Sequence, residues 1–240
     1  SWQTASEAPE RWSWADFDAG AWKPASVVAK FGDQPWGKIA LDEVRMEPAP
    51  FFRKAFQVRK PVRRATLYAS ALGVYELRLN GRAVDTDALS PGWTDYSKRV
   101  HYFGYDVTGL LREGENAIGA MLGDGWYAGY LAFSGKRHYY GDKTRLIAQM
   151  QIEYADGSKE VLGTDETWKA TTGPIRENDL LMGSVYDARR EMPGWDAPGY
   201  ADASWQGVIV DAGVRANLEA HPGAPIRRME ELPARTMTEP

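Results

Sequence analysis

An alternating run from Arg145 to Tyr154 is the sequence feature that most limits how this chain can fold. Every second side chain in the run is apolar, namely Leu146, Ala148, Met150, Ile152 and Tyr154. A period of two is typical of a β-strand with one buried face, because successive side chains point to opposite sides of the strand. The pair Asp156-Gly157 then favours a tight turn, and residues 159–162 are predicted to return as the second strand of a hairpin.

The same reasoning predicts a second hairpin and several further strands. Apolar side chains alternate in Val74–Leu79, Asn80-Gly81 supplies a turn, and residues 82–84 return. Further predicted strands lie at residues 52–58, 62–69, 100–105, 117–122 and 205–210. One short helical turn, capped by Asp106, is predicted at residues 106–111. Many short strands separated by turn signals predict an all-β chain that folds as an antiparallel β-sandwich.

Composition narrows the classes of partner. The 240-residue chain carries 29 basic and 33 acidic residues, a formal net charge of −4, and no segment concentrates the basic ones. Nucleic acid is therefore not an expected partner, because its phosphates require a basic face. No apolar run is long enough to span a bilayer, so a membrane is not expected either. Cysteine is absent, which excludes disulfides, thiolate nucleophiles and zinc–thiolate sites.

Two glycine-rich loops with adjacent aromatic residues are the main candidates for function. Residues 122–129 read LGDGWYAG after a predicted strand, and residues 90–96 read SPGWTDY. Glycine permits a close approach of the backbone, and Trp and Tyr offer flat apolar faces with polar edges that suit a pyranose ring. A third polar and aromatic loop spans residues 138–142. The candidate sugar-binding residues are Trp93, Asp95, Tyr96, Asp124, Trp126, Tyr127, His138 and Asp142.

Each candidate also has an ordinary structural interpretation. Asp124 precedes a glycine and could satisfy backbone N–H groups in a tight turn. Asp95 could pair at the surface with Lys98 or Arg99, where an ion pair contributes little. His138 is more typical of a solvated loop residue than of a ligand. The run at residues 177–179 offers oxygen ligands that suit calcium, or it forms a solvated bend.

The two adjacent aromatics of the second loop cannot both serve the same surface if the backbone there is extended. In an extended segment Trp126 and Tyr127 point in opposite directions, so one is expected to face the core and the other a groove. The sequence does not distinguish which of the two faces the groove.

A catalytic role finds no support in the motifs of this chain. Glycoside hydrolysis needs two carboxylates held across a sugar, and no motif places two acids in that arrangement. There is no Gly-x-Ser-x-Gly elbow, and the three histidines have neither evident catalytic partners nor zinc-ligand spacing. Three hypotheses remain open, which are a sugar-binding module, a purely structural domain and a small β-sandwich enzyme.

Five motifs, in this order, resemble the N-terminal carbohydrate-binding region of bacterial α-L-rhamnosidases. They read ALGVYELRLNG at 71–81, LSPGWTDY at 89–96, YDVT at 105–108, LGDGWY at 122–127 and YDAR at 186–189. The similarity covers residues 51–210. It implies a sandwich of the jelly-roll, galactose-binding-like type.

The expected organisation has three parts. Residues 1–50 are poor in strand signals and are predicted to pack on the sandwich as a lead-in segment. Residues 51–212 are the predicted jelly roll. Residues 213–240 combine prolines with few large apolar side chains, which predicts a linker. The resemblance implies that this linker leads toward a C-terminal catalytic region.

The resemblance also implies a function. It indicates a non-catalytic module that binds L-rhamnose or a related sugar, within a rhamnose-containing glycan or glycoside, as part of an α-L-rhamnosidase. In some family members a calcium ion holds the sugar, and Asp95 and Asp142 are the candidate ligands for it here. The alternative is a structural domain of the same glycosidase, in contact with its remaining domains and without a ligand of its own. A secreted or periplasmic location is expected, with the cytoplasm as the alternative.

Overall fold

The computed structural model describes residues 2–14, 16–30, 33–34, 46–131, 136–236 and 238. The chain divides into two units, Ser1–Arg45 and Met46–Pro240. In the first unit β1 (Gln3–Thr4) pairs antiparallel with β2 (Lys23–Pro24). Residues 35–45 of the predicted lead-in lie outside the described residues. No helix within the described ranges is long and apolar enough to cross a membrane.

The second unit is built mainly from strands. In chain order these are β3 (Pro50–Val58), β4 (Val62–Leu72), β5 (Val74–Leu79), β6 (Arg82–Ala83), β7 (Asp87–Ala88), β8 (Val100–Asp106), β9 (Gly114–Gly123), β10 (Arg145–Tyr154), β11 (Lys159–Gly163), β12 (Lys169–Thr172), β13 (Ile175–Asp179), β14 (Gly183–Tyr186), β15 (Gln206–Gly207), β16 (Leu218–Ala220) and β17 (Ile226–Arg227). Its helical segments include a single turn, α1 (Gly125–Ala128), and 3₁₀ turns at Thr108–Leu110 and Ala188–Arg190. This content confirms the all-β prediction.

Two sheets enclose one apolar core. The first sheet has the order β11-β10-β4-β8-β16, and the second has the order β15-β12-β3-β9-β5-β6. Both sheets contribute to the core, which includes Leu67 and Met150 from the first sheet and Leu79 and Leu122 from the second. The period-two faces pack inward because this removes their apolar side chains from water. The predicted antiparallel β-sandwich of jelly-roll type is therefore confirmed.

Both predicted hairpins are present. β10 pairs with β11 around Asp156-Gly157, and Gly157 adopts a φ of +83°. β5 pairs with β6 around Asn80-Gly81, with φ values of +53° and +81°. Positive φ at both central positions is the geometry of a turn that matches the twist of the two strands, and Asn and Gly tolerate it best.

The C-terminal part of the chain differs from the expectation. The predicted strand at 205–210 shrinks to Gln206–Gly207, which pairs with the edge strand β12. The predicted linker at 213–240 contains β16, which runs parallel to β8, and β17, which pairs with β7. Composition did not indicate these strands, because they are held by backbone hydrogen bonds to one partner strand each, and such bonds need no apolar side chains. β14 was missed for the same reason, since all four of its residues are exposed.

The strand register brings several connections to one end of the sandwich. Leu72, which ends β4, lies opposite Arg145, which begins β10. Gly123, which ends β9, lies opposite Val74, which begins β5. β8 and β16 both begin at this end, because they run parallel from Val100 and Leu218. We call this the loop end, and it carries residues 89–99, 124–131, 136–144 and 214–217.

Candidate functional site

Three of the loops that carry the predicted site residues meet at the loop end. The ring of Tyr96 contacts the rings of Tyr127 and Tyr140, at centroid distances of 5.3 and 5.0 Å. Tyr96 and Tyr127 are buried, and a Cβ added at Gly141 would lie 2.2 Å from the Tyr127 hydroxyl. Only glycine therefore lets the third loop pass over Tyr127. We call Tyr96, Tyr127 and Tyr140 the tyrosine floor.

An open groove of about 650 Å³ lies over the tyrosine floor. Tyr139 stands at its side with 70% of its surface exposed and touches Tyr140 edge-on at 4.8 Å. The remaining lining residues are Leu72, Asp95, Ser97, Arg145, Val214, Arg215 and Ala216. The groove thus combines aromatic faces with hydroxyl, carboxylate and guanidinium groups, which is the chemistry that a small polyol requires.

The carboxylate of Asp95 is engaged within its own loop. It accepts hydrogen bonds from the backbone N–H of Ser97 at 3.1 Å and from the Ser97 hydroxyl at 2.5 Å, and it pairs with Lys98 at 3.1 Å. These contacts, first that with Ser97 and then that with Lys98, hold the pKa of Asp95 below its ordinary value. The pairing with Lys98 is the surface interpretation that the sequence left open. Among the described residues that line the groove, Asp95 is the only carboxylate.

The guanidinium of Arg145 is also fixed in place. Its Nε donates to Asp211 at 2.8 Å, and its Nη1 donates to the carbonyl of Lys143 at 2.8 Å. Arg215 donates to the carbonyl of Ala212 at 2.9 Å. Because a guanidinium has five N–H donors, both arginines keep donors for further hydrogen bonds at the groove.

Asp124 lies beside the groove and outside its lining. Its carboxylate is largely buried and forms an ion pair with Arg137. Burial raises the pKa of Asp124 above its ordinary value, and the neighbouring Arg137 charge opposes that rise. The side chain thus links the two loops through this ion pair.

The backbone around Trp126 and Tyr127 is helical rather than extended. The N–H groups of Ala128 and Gly129 donate to the carbonyls of Asp124 and Gly125, which closes the single turn α1. The expectation of opposite directions rested on an extended backbone, so it does not apply here. Tyr127 is buried in the tyrosine floor, whereas Trp126 remains partly exposed.

Trp126 stacks with Trp93 from the first loop. The two indole rings are nearly parallel, at 5° and a centroid distance of 6.5 Å, and Trp93 is 53% exposed. The pair forms an apolar surface at the loop end, although neither ring lines the groove. Stacked Trp rings of this kind offer a face against which the C–H side of a sugar can pack.

His138 and Asp142 are both exposed and lie outside the lining of the groove. The part of the chain that the structure describes contains no group of three or more His, Cys, Asp or Glu side chains that could hold a metal ion. Calcium prefers six to eight oxygen ligands, and Asp95 is already occupied by Ser97 and Lys98. The predicted calcium ligands Asp95 and Asp142 therefore do not fit that ion.

Asn178 and Asp179, from the predicted oxygen-rich run, have a structural role. The side-chain oxygen of Asn178 accepts from the backbone N–H of Asp124 at 2.7 Å. The carboxylate of Asp179 accepts from the backbone N–H groups of Tyr130, Leu181 and Met182 at 2.8, 2.8 and 2.9 Å. Hairpin β13–β14 is thereby fastened to the loop that carries α1.

Sequence reasoning missed several members of the groove. Ser97, Arg145 and Arg215 were not candidates, because nothing local in their surroundings marks them. The adjacent aromatics Tyr139 and Tyr140 belonged to the third candidate loop, yet only its His138 and Asp142 were chosen. A preference for aromatic residues over charged ones in that loop would have found both tyrosines.

Comparisons with known proteins show the family and agree with the fold. The model of the α-L-rhamnosidase N-terminal domain family matches residues 60–230. An α-L-rhamnosidase of Streptomyces avermitilis is 45% identical over 243 residues, covering 100% of this chain and 23% of that protein. One of Alteromonas sp. is 36% identical over 218 residues, covering 90% of this chain and 22% of that protein.

The chain is also similar in structure to solved α-L-rhamnosidases. A crystal structure of the Streptomyces avermitilis α-L-rhamnosidase complexed with L-rhamnose has a TM-score of 0.76 at 45% identity, covering 98% of this chain and 23% of that one. The Aspergillus terreus α-L-rhamnosidase has a TM-score of 0.75 at 38% identity, covering 77% and 22%. The present chain thus spans about a quarter of the length of the relatives that it matches.

Proposed function

Because the chain belongs to the α-L-rhamnosidase N-terminal domain family, we propose that it is a non-catalytic domain of such an enzyme and binds a sugar in the groove. The observation that carries the proposal is the meeting of three loops on the tyrosine floor, which leaves an open groove with aromatic and polar walls. The proposed ligand is L-rhamnose or a related sugar at the end of a glycan. The 45% identical Streptomyces avermitilis enzyme, whose structure is a complex with L-rhamnose, supports this class of ligand.

The groove suits a 6-deoxy sugar on chemical grounds. L-Rhamnose has one methyl group and several hydroxyl groups, so it needs both an apolar contact and hydrogen-bond donors and acceptors. Leu72 and the tyrosine rings supply the apolar surface, and Ser97, Arg145 and Arg215 supply the polar groups. A small sugar buries little area, so we expect dissociation constants in roughly the micromolar to millimolar range.

The lining of the groove supports binding without hydrolysis. A glycosidase needs two carboxylates across the scissile bond, whereas Asp95 is the only carboxylate among the described lining residues. One of its oxygens accepts a hydrogen bond from Ser97, and the other pairs with the ammonium group of Lys98. We expect no turnover of an aryl α-L-rhamnoside. Hydrolysis by the unmodified chain that is lost in Asp95→Asn would show that this chain contains an active site, which would contradict the proposal.

Titration calorimetry with L-rhamnose tests the binding directly. Tyr139→Ala removes an exposed ring at the side of the groove, and we expect it to weaken binding by about three- to tenfold, since an aromatic contact contributes about 0.5 to 1.5 kcal/mol beyond its buried area. Tyr186→Ala is the matched control, because Tyr186 is also exposed but lies on β14 outside the groove. Equal affinities of the two variants, or no heat with the unmodified chain, would contradict the proposal.

A second candidate function rests on the hairpin β13–β14. It exposes four large apolar side chains, those of Leu181, Met182, Val185 and Tyr186, which is unusual for a surface that faces only water. This favours a structural domain that packs on another part of the rhamnosidase. Sugar binding and packing use different surfaces, so absence of heat with L-rhamnose would leave this second function as the better one.

A further inference from the structure

One wall of the groove belongs to a loosely attached segment. Residues 208–221, which we call the strap, connect β15 to the region after β16 and place Val214, Arg215 and Ala216 in the groove. A largely apolar cleft of about 360 Å³ lies between the strap and the sandwich, lined on the sandwich side by residues that include Ser70 and Ile147. The strap therefore spans the sandwich without filling the space beneath it.

Few contacts hold the part of the strap that precedes β16. Val208 packs against the edge of the core and donates its N–H to the carbonyl of Trp168 at 3.3 Å, and Asp211 pairs with Arg145 at 2.7 Å. Most of its side chains are exposed, and Ile209 reaches 95%. Segments with little buried apolar surface open at low free-energy cost, so the strap depends on its C-terminal attachment at β16.

That attachment places two imidazole rings against each other. The backbone of β16 runs parallel to β8, and His221 donates its N–H to the carbonyl of Tyr102 at 3.0 Å. The His221 ring stacks on Phe103 at 4.6 Å and 22°, and it meets His101 edge-on at 5.2 Å and 79°. His101 Nδ1 is buried, and no hydrogen-bond partner for it exists within the described residues.

The charged side chains near His101 act on its pKa in opposite directions. Arg99 lowers this pKa and Glu219 of β16, which lies 3.7 Å from Arg99, raises it. From the loop at residues 89–93, Gly92 faces Nε2 of His221, and the carbonyl of Gly223 lies 3.0 Å from Nδ1. A neutral His101 ring packs in this site, whereas a protonated one would carry a buried N–H group at Nδ1 that has no acceptor among the described residues.

We propose that acid releases the strap from β8, which removes one wall of the groove and weakens the binding of sugar there. The part that concerns sugar rests on the function proposed above, whereas the release of the strap does not. The proposed regulation thus couples the proton concentration to the shape of the groove through His101, whose ring contacts that of His221 at the end of the strap.

The direction of the effect follows from the sign of the pKa change. Burial lowers the pKa of His101 below its ordinary value, and the neighbouring His221 lowers it further. A released strap exposes His101 to water and restores its ordinary pKa of about 6.5, so the released state binds protons more readily. Docking is therefore complete above about pH 6.5 and is lost as the pH falls below it.

Hydrogen exchange tests the release without any sugar. Between about pH 7.5 and about pH 5, the N–H groups of Val100 and His221 are expected to lose protection by about tenfold or more after correction for intrinsic exchange. The N–H group of Val100 is sensitive to release of the strap, because it donates to the carbonyl of Asn217 in the strap at 2.8 Å. Amides in the middle of β4 and β10 should keep their protection and thus serve as an internal reference.

The three histidines of the chain provide matched variants. His101→Gln removes the imidazole that takes up the proton, so its strap should stay protected at both pH values. His138→Phe changes the exposed histidine outside this site and should behave as the unmodified chain does. If His101→Gln fails to fold, as judged by circular dichroism, His101→Phe replaces it, and the same loss of pH dependence is expected.

Two results would overturn the inference. One is strap protection that is equal at both pH values in the unmodified chain, and the other is a loss in acid that persists in the variant that folds. Calorimetry with L-rhamnose then separates the two proposals. Binding at neutral pH that is unchanged in acid contradicts the regulation and leaves the sugar-binding function intact, whereas absence of binding at neutral pH contradicts the function and leaves strap release to be decided by hydrogen exchange.

Discussion

The sandwich and the loop end are held together by different kinds of contact. β4 pairs with β10 over ten register positions and with β8 on its other side, and its inward side chains are buried. At the loop end, the groove is assembled from turns, ion pairs and the strap, and β16 contributes only three register positions. Apolar burial dominates the first region, and individual polar contacts dominate the second.

This contrast separates stability from function in the molecule. A core that removes many side chains from water tolerates change in the loops that it carries, because those loops contribute little to the free energy of folding. The loop end can therefore present different side chains to a ligand while the sandwich stays the same. Substitutions in the two regions should accordingly differ in size and in kind.

The largest effect is expected in the core of the sandwich. Leu67 on β4 is fully buried, so Leu67→Ala should lower the free energy of unfolding by about 3 to 5 kcal/mol through lost burial and the cavity left behind. Val161→Ala, on the exposed face of the edge strand β11, is the control and should change it by less than about 0.5 kcal/mol. Urea unfolding measures both. Similar losses in the two variants would remove the distinction on which this comparison rests.

A smaller effect is expected where hairpin β13–β14 is fastened to the loop end. Asp179→Ala deprives the N–H groups of Tyr130, Leu181 and Met182 of their acceptor, so we expect a loss of about 2 to 3 kcal/mol in unfolding free energy. Asp142→Ala changes an exposed acid of a nearby loop and should cost less than about 0.5 kcal/mol. An Asp179 variant as stable as the Asp142 variant would show that these hydrogen bonds do not hold the loop.

The smallest effect concerns pH. Burial raises the pKa of Asp85 to about 6, where the backbone N–H of Asp87 opposes the rise and the carboxyl group of Asp87 adds to it. The folded chain keeps this proton to higher pH than the unfolded chain does, so stability falls as the pH rises from about 4 toward 6. Asp85→Asn should remove that fall and stabilise the chain by about 1 kcal/mol at neutral pH, a value reduced for the exposure of the carboxyl group.

Asp156→Asn provides a control of opposite sign. Hydrogen bonds from Lys60 and Ser158 lower the pKa of Asp156, so its contribution to stability is present at neutral pH and lost in acid. The variant should therefore be less stable than the unmodified chain at neutral pH. Thermal unfolding across the pH range measures both variants, and changes of the same sign in the two would contradict this assignment of charges.

The sandwich was predictable from sequence because its signals are local. The alternation in β10 and each of the turn pairs Asn80-Gly81 and Asp156-Gly157 can be recognised within a few consecutive residues. Both hairpins that they predict are confirmed. Short strands such as β16 and β17 were not predictable in this way. Their partners are distant in sequence, and their side chains carry no alternation.

The loop end was predictable only in part. The glycine-rich loops were candidates because of their aromatic residues, and the structure places Tyr96 and Tyr127 of two of these loops in contact. The contacts that decide the role of Asp124 were not visible, because its backbone partner Asn178 lies 54 residues away and its ion pair with Arg137 spans two loops. Whether a carboxylate has an ion-pair partner on another loop depends on the tertiary structure, and no local sequence motif indicates it.

A crystal of this chain soaked in L-rhamnose would test the central claim most directly. The account predicts one sugar in the groove, packed against Tyr139 or the tyrosine floor and within hydrogen-bond distance of Arg145, Arg215 or Ser97. Sugar bound on another surface, such as the stacked Trp93 and Trp126, with the groove left empty, would contradict it. So would the absence of bound sugar from crystals in which the groove is open to solvent.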